Sequence, residues 1–214
     1  MTIIYKSFPV GPLQCNCTVI GDSSTGKGYV IDPGGHPELI MQTVESMELS
    51  IEGLYHTHAH FDHFLASAEI KEKTGASIHL HDSDRFLWDT LEMQCKYFNI
   101  EYKPTPAPDY KIEDGEEMKY CSGSCIHTPG HTPGSVSFYF KEELLLVSGD
   151  TLFQGSIGRT DLPGGNTEEL MNSIKTKILP LPDNTLIYPG HGPKTILGEE
   201  KKHNPYLNGK LKLV

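Results

Sequence analysis

The segment Thr57-His58-Ala59-His60-Phe61-Asp62-His63 places three histidines and one aspartate within six positions. In an extended stretch, the side chains of residues two apart point the same way, so His58 and His60 can bind one ion. Asp62 and His63 follow where a helix is predicted to begin, and they can turn toward a second position. Imidazole and carboxylate ligands suit zinc, iron or manganese. The segment therefore predicts a metal site.

Three more segments have the form of ligand-bearing turns, each directly after an apolar run. Pro129-Gly130-His131, Gly149-Asp150 and Pro189-Gly190-His191 are the three. Glycine and proline let the backbone bend sharply, which presents one side chain at the end of a strand. His131 and His191 have nearly identical Pro-Gly-His settings. Each turn taken alone is also typical of an ordinary loop.

The elements that must position these residues alternate irregularly between strands and helices. Strands are predicted at 2–8, 17–20, 29–31, 51–56, 76–80, 118–127, 135–140, 144–148 and 185–188, and helices at 37–44, 61–73 and 84–98 and after Asn166. Gly75 is a plausible helix end, and Asn166 a capping residue. Such an order favours two sheets with helices outside over a strictly alternating parallel fold.

Composition limits the classes of function. The 214 residues suit one domain, 1–214, with a sizeable core. A formal charge of −10 disfavours a nucleic-acid partner, which would require clustered Lys and Arg. No run approaches the ~20 apolar residues of a membrane helix, and the first residues lack the apolar core of a signal peptide, which predicts a cytoplasmic protein. Five cysteines, an odd number, are expected to be reduced thiols.

Taken together, the motifs resemble those of the metallo-β-lactamase superfamily. The matching pieces are Asp32-Pro33-Gly34-Gly35, the 58–63 segment, and the three turns at 129–132, 149–150 and 189–191. The resemblance implies an α+β fold, an αββα four-layer sandwich with the metals at one edge. It assigns His58, His60 and His131 to a first metal ion, and Asp62, His63 and His191 to a second, with Asp150 bridging. Two divalent ions are expected, zinc first, with iron or manganese as alternatives.

Within that superfamily the chain looks most like the glyoxalase II group, the hydroxyacylglutathione hydrolases. Gly149-Asp150-Thr151-Leu152-Phe153 and the segment 158–161 carry this likeness. The resemblance implies hydrolysis of S-lactoylglutathione or a related acyl-glutathione. Two ions that share a water would supply a bridging hydroxide as nucleophile, and Asp62 and Asp150 are the expected catalytic residues, which guide the proton besides binding metal. Two features depart from the longer members. The chain is expected to lack their helical C-terminal extension, and Gly158-Arg159-Thr160-Asp161 replaces their Lys- and Tyr-bearing stretch.

The leaving group favours a thioester on chemical grounds. A thiolate with a pKa near 8.5 departs with little protonation, whereas an amine requires a proton donor. No spare acid is evident beside the metal motif. An ester or lactone would fit as well, so a lactonase stays open. An iron-dependent persulfide dioxygenase is the other alternative, because the segment 158–161 resembles its equivalent in that family.

Four other residues have expected roles. Arg159 either clamps a substrate carboxylate or forms a surface salt bridge. Asp32 is expected to support a ligand or the turn rather than to bind metal. Thr57 and Thr132 are expected to orient ligand histidines through hydrogen bonds.

Overall fold

A computed structural model describes residues 1–209 of the chain. Its strands are β1 (Ile3–Val10), β2 (Cys15–Asp22), β3 (Lys27–Ile31), β4 (Ser50–Tyr55), β5 (Ser77–Leu80), β6 (Tyr110–Lys111), β7 (Glu117–Met118), β8 (Gly123–His127), β9 (Val136–Phe140), β10 (Leu145–Gly149), β11 (Leu152–Phe153), β12 (Ser156–Ile157), β13 (Leu186–Pro189) and β14 (Thr195–Ile196). Its α-helices are α1 (Pro37–Ser46), α2 (Ser67–Thr74), α3 (Arg85–Trp88), α4 (Leu91–Tyr97), α5 (Thr167–Ser173) and α6 (Leu197–His203). Short 3₁₀ helices cover Phe61–His63 and Asp82–Asp84, and a π-helix covers Ile174–Ile178.

The strands form two six-stranded mixed sheets and one small hairpin, β11–β12. In the first sheet β1 to β6 lie side by side in chain order. The pairs β1–β2 and β2–β3 are antiparallel, and the remaining pairs are parallel. The second sheet has the order β14-β13-β10-β9-β8-β7, with β10 and β13 parallel.

Strands of the first sheet are apolar on both faces, which explains the two cores on either side of it. Successive strand residues point to opposite faces. Val30 accordingly packs with α1 to α4 in one core, while its neighbour Ile31 packs against the second sheet. A third core holds Leu146 and Ile187 of the second sheet against α5 and α6. The layers therefore run helix, sheet, sheet, helix, and the predicted αββα sandwich is confirmed.

Two predicted helix boundaries are confirmed by their capping geometry. Gly75 ends α2 with a φ of 73°, a conformation that glycine adopts without a Cβ penalty. The side chain of Asn166 accepts hydrogen bonds from the backbone N–H groups of Glu168 and Glu169, which satisfies two free donors at the start of α5.

The single helix predicted over 61–73 is wrong. A 3₁₀ turn covers Phe61–His63, and α2 begins only at Ser67. Phe64 leaves helical geometry with a φ of −142°, and the N–H of Ala66 donates to the carbonyl of Pro33 at 2.9 Å. Periodicity could not show this break, because it depends on a contact with the turn at 32–35.

Two other predicted elements are divided. The helix predicted over 84–98 is two helices, α3 and α4, and the hydroxyl of Thr90 between them donates to the carbonyl of Leu87. The strand predicted over 118–127 is the hairpin β7–β8, with Ser122 at a φ of 50° in its turn. The short strands β6, β11, β12 and β14 and helix α6 have no counterpart among the predicted elements.

None of the helices in the described part of the chain combines the length and apolarity that a bilayer crossing requires. All five cysteines are free and buried.

Candidate metal centre

The predicted ligand residues lie at the ends of strands from both sheets. Four of them follow β4 of the first sheet: His58, His60, Asp62 and His63. In the second sheet His131 follows β8, Asp150 follows β10 and His191 follows β13. Because β10 and β13 are parallel, Asp150 and His191 leave the sheet at the same edge. All seven predicted ligands are brought together there.

Three imidazoles form the first cluster. Nε2 of His58, Nδ1 of His60 and Nε2 of His131 lie 3.0, 2.9 and 3.2 Å from one another. A zinc ion about 2.0–2.1 Å from each of three nitrogens holds them roughly 3.3 Å apart in tetrahedral geometry. The triangle in the structure is slightly tighter than that, and its nitrogens converge as ligation requires.

The second cluster contains Asp62, His63 and His191. Nε2 of His191 lies 3.1 Å from Oδ2 of Asp62, and Nε2 of His63 lies 3.7 Å from the same oxygen. Asp150 stands between the clusters, with Oδ2 3.6 Å from Nε2 of His131 and 3.8 Å from Nε2 of His191. One carboxylate therefore faces both groups, as a bridging ligand would.

Two buried polar atoms in this centre indicate that it suits cations. Nε2 of His63 and Oδ1 of Asp150 are buried without a hydrogen-bond partner among the described residues, and they lie 3.6 Å apart. Burying unpaired polar atoms costs free energy that a bound ion would recover. The donor set of five imidazoles and two carboxylates fits two divalent ions, although its role as ligands stays a prediction.

Space for the second cluster depends on a glycine. A Cβ on Gly190 would lie 2.1 Å from Oδ1 of Asp150 and 2.8 Å from Cε1 of His63. Any larger residue would displace one of these two side chains. The glycine of this Pro-Gly-His turn is therefore required for steric reasons.

The two clusters shift the pKa values of their histidines in opposite directions. Burial, with the neighbouring imidazoles, lowers the pKa of His60 to about 3 and that of His58 well below its usual range. These rings are neutral, which is the form that binds metal. Burial also lowers the pKa of His63, but the Cys15 thiol and the carboxylates of Asp32, Asp62 and Asp150 outweigh burial and raise that pKa. The second cluster thus stabilises positive charge at His63.

Burial raises the pKa of Asp62, but His63 and His191 together lower it to about 2. The Asp62 carboxyl is therefore ionised at neutral pH, as a metal ligand must be.

Four of the histidines are oriented through their other ring nitrogen. Nδ1 of His131 donates to the carbonyl of Arg159 at 2.7 Å, and Nδ1 of His191 donates to the carbonyl of Leu13 at 3.1 Å. Nδ1 of His58 lies 3.1 Å from the hydroxyl of Thr57, and Nδ1 of His63 lies 3.0 Å from Oδ2 of Asp32. Such bonds fix which ring nitrogen would face a bound metal ion.

Asp32 has the supporting role expected of it, and so does Thr57. The carboxylate of Asp32 accepts hydrogen bonds from the N–H and the hydroxyl of Thr57, both at 2.7 Å, while it contacts His63. The expectation for Thr132 is wrong, because its hydroxyl donates to Oδ2 of Asp84 at 2.7 Å instead of contacting a ligand histidine.

Asp84 is the supporting residue that the sequence reasoning missed. Its buried carboxylate accepts from the N–H of Ala59 at 3.0 Å, between His58 and His60. It also accepts from the hydroxyl of Thr132 and, at 2.6 Å, from the N–H of Gly134. One side chain therefore joins the loop of His58 and His60 to the loop of His131. No local pattern marks it, since its partners lie 25, 48 and 50 residues away.

Gln94 of α4 was also missed. Its Oε1 accepts from the N–H of Phe61 at 2.9 Å, and its Nε2 donates to the carbonyls of Ala59 and Leu87. The ligand loop is thus held from the helical layer as well as from the sheets.

A cavity of about 300 Å³ opens on both clusters. It is lined by His60, Asp62, His131, Asp150 and His191, together with Leu13, Phe61, Gln94, Phe98, Arg159 and Leu162. Arg159 is exposed and paired with Asp161, donating from Nε and Nη2 at 2.7 Å each. A second cavity, about 470 Å³ and lined in part by Ile196 and His203, contains none of the predicted ligands.

Comparisons with known proteins agree with this geometry. The family model described as the metallo-beta-lactamase superfamily matches residues 10–191. The hydroxyacylglutathione hydrolase GloC of Haemophilus influenzae is 40% identical over 206 residues, covering 94% of this chain and 97% of that protein. The probable metallo-hydrolase YqgX of Bacillus subtilis is 42% identical over 209 residues, covering 96% and 98%.

Among solved structures, TTHA1623 in a di-iron-bound form superposes with a TM-score of 0.88. Its sequence is 36% identical, and the match covers 94% of this chain and 100% of that chain.

Proposed function

Because the chain belongs to the metallo-β-lactamase superfamily, we propose that it is a metal-dependent hydrolase that cleaves a thioester, S-lactoylglutathione or a related acyl-glutathione. The observation that supports this most is the pair of ligand clusters that share Asp150 and open on one cavity. The relative named GloC supports a glutathione-derived substrate.

In this proposal His58, His60 and His131 hold the first ion, Asp62, His63 and His191 hold the second, and Asp150 contacts both. Two divalent ions, zinc first, would lower the pKa of a shared water toward 7 and polarise the acyl carbonyl. Iron and manganese are the alternatives, and iron is supported by the similar TTHA1623 structure, which carries two irons. The chain's own contribution is a set of ligands oriented in advance by Asp32, Thr57 and backbone carbonyls.

Asp62 and Asp150 are the proposed catalytic residues. Each carries a carboxylate that lines the cavity, where the substrate carbonyl would be attacked. Besides ligation, these oxygens can accept the proton that water loses when its oxygen bonds to the acyl carbon. The C–S bond then breaks and the thiolate leaves with little need for protonation, since its pKa is near 8.5.

Turnover of S-lactoylglutathione by the metal-loaded protein tests the proposal. His58→Ala and Asp150→Ala should each reduce kcat/KM by at least about 10³-fold and deplete bound metal while circular dichroism stays unchanged. His203→Ala is the matched control, because His203 is an exposed histidine outside the cluster. Unchanged activity in the two ligand variants would refute the assignment.

Arg159 is the proposed contact for a substrate carboxylate. Because Asp161 occupies Nε and Nη2, a substrate must compete with it. Arg159→Ala should raise KM for a carboxylated thioester severalfold with little change in kcat, and Asp161→Asn should lower that KM. Equal KM values in all three proteins would reject the contact.

An iron-dependent persulfide dioxygenase is the second candidate. The first cluster with Asp150 would suffice for one iron, and the segment 158–161 favours this reading. Oxygen uptake with a persulfide substrate by protein that carries one iron would support it. A lactone in the hydrolysis panel tests the remaining alternative, a lactonase.

A further inference from the structure

The cavity beside the two clusters has an apolar wall that metal ligation does not explain. Leu13 and Phe98 line it, and both are 44% exposed although they are large apolar side chains. Phe98 packs on the buried ring of Phe61 with centroids 4.7 Å apart, so its ring is held in place. Exposed apolar side chains that line a concave pocket are typical of a ligand contact.

Leu13 is fixed as well, through the turn that carries it. The side chain and the N–H of Gln14 both donate to the carbonyl of Gly11, and Gln14 itself has a φ of 56°. The carbonyl of Leu13 accepts from Nδ1 of His191. One hydrogen bond therefore connects the apolar wall to His191 of the second cluster.

Charge recognition in the same cavity is weak. Among the residues 1–209 that the structure describes, Arg159 is the only Lys or Arg in the lining, and Asp161 neutralises it with two 2.7 Å hydrogen bonds. A substrate carboxylate must compete with Asp161 for this guanidinium, so the contact with Arg159 is expected to change KM by no more than severalfold. Glutathione carries two carboxylates, so its recognition here would rest on a cation that is already paired.

We infer that this protein selects its substrate by an apolar acyl group held against Leu13 and Phe98, and that it tolerates different thiol halves. The inference rests on the proposed thioesterase function. The thiol halves of biological thioesters are polar, so the acyl half is the part that can match the wall. A cavity of about 300 Å³ is at the lower end of the ligand-pocket range of roughly 300–1,000 Å³, so the acyl group is of modest size.

A two-way substrate panel tests the inference. Acetyl, lactoyl, butyryl and hexanoyl thioesters of glutathione and of N-acetylcysteamine would be assayed with the metal-loaded protein, each rate divided by its rate with free hydroxide. Full burial of a methylene corresponds to about a fourfold gain. Because the wall is half exposed, kcat/KM should rise about twofold per methylene, in both thiol series alike.

Two variants connect that slope to the wall. Leu13→Ala and Phe98→Ala, tested separately, should each flatten the dependence of kcat/KM on acyl chain length. Met93→Ala is the matched control, since Met93 is a 68% exposed apolar residue of α4 outside the cavity lining. It should leave the slope unchanged.

Two results would overturn the inference. One is a flat response to acyl length with a loss of more than about tenfold when N-acetylcysteamine replaces glutathione. The other is an unchanged slope in both wall variants. Failure of the proposed function itself would look different, because then no thioester in the panel would be hydrolysed by the parent.

Discussion

Asp84 is the residue on which the relative placement of two ligand loops depends. Its carboxylate joins the N–H of Ala59 to the hydroxyl of Thr132 and the N–H of Gly134, and all four groups are buried or nearly so. Burial raises the pKa of this carboxyl against the opposing effect of these donors. The three donors nevertheless match a carboxylate better than any neutral side chain, because an amide would aim its own N–H at one of them.

Replacement of Asp84 should therefore loosen the first cluster. Asp84→Asn is expected to weaken metal affinity by about 10–100-fold, the range for residues that support ligands. The absorption bands of a cobalt-substituted protein should also change, which a loss of stability alone would not cause. Asp82→Asn, on an exposed residue of the same turn, is the control. Parental affinity and spectrum in Asp84→Asn would show that the link is dispensable.

At this scale the sequence points to the residues that the fold brings together as candidate ligands, and it misses the residues that support them. His58, His60, Asp62 and His63 lie within six positions, and the other three predicted ligands stand in glycine-bearing turns, so residue type and spacing single them out. Asp84 and Gln94 lie in segments that resemble ordinary helix, and only tertiary contacts give them a role.

Strand β2 of the first sheet holds the His191 turn of the second sheet. Nδ2 of Asn16 donates to the carbonyls of Pro189 and Gly192, both at 2.9 Å, and the N–H of Asn16 donates to the carbonyl of Gly190 at 2.7 Å. The turn is thus fixed from both ends by one residue.

Asn16→Asp should release this turn, because a carboxylate cannot donate to either carbonyl. We expect the second ion to bind more weakly, by at least about tenfold, while the first keeps its affinity, and stability to fall by about 1–3 kcal/mol. Metal titration followed by calorimetry would measure both effects. Asn172→Asp, on the exposed face of α5, serves for comparison. Equal weakening of both ions would contradict a local role.

His79 on β5 makes the stability of the fold depend on pH. Its ring stacks between Tyr55 and Tyr110, with centroids 4.3 and 5.1 Å away, and burial lowers its pKa to about 4. The unfolded chain, with a pKa near 6.5, then binds more protons than the folded one, so stability is full above pH 6.5 and falls as pH drops toward 4.

Metal-free His79→Phe should show a shallower loss of stability between pH 6.5 and 4 than the metal-free parent. The difference cannot exceed about 3 kcal/mol, which corresponds to the shift from 6.5 to about 4. Urea unfolding at several pH values would measure it. His203→Phe, on an exposed histidine, should keep the parental slope. A parental slope in His79→Phe would remove His79 as the cause.

The ends of helices could be predicted where a local capping residue determines them, as Gly75 and Asn166 do. The break between Phe61–His63 and α2 was not, since the contact from Ala66 to Pro33 lies more than thirty residues apart in sequence. The αββα order was predicted from the irregular alternation of strands and helices together with the family resemblance. The structure gives its physical reason, since strands such as β3 and β4 are apolar on both faces and require a layer on each side.

On the scale of the whole molecule, bound metal ions are expected to link the two sheets and so to stabilise the fold. The predicted ligands lie in loops after β4, β8, β10 and β13, so bound ions would connect both sheets at one edge. Ligands that bind only the folded state add about 2.7 kcal/mol at a concentration of 100 Kd. Chelation should therefore lower Tm by roughly 5–10 °C for a chain of this length. Calorimetry before and after chelation, with metal added back, would show it, and an unchanged Tm would contradict this role.

Metal stoichiometry tests the central claim most directly. The parent protein, dialysed against excess zinc and then against metal-free buffer, should retain two ions per chain by mass spectrometry of the metal. His191→Ala should retain one, and His203→Ala should retain two. A parent that retains fewer than two ions, or a His191→Ala variant that still retains two, would contradict the dinuclear centre.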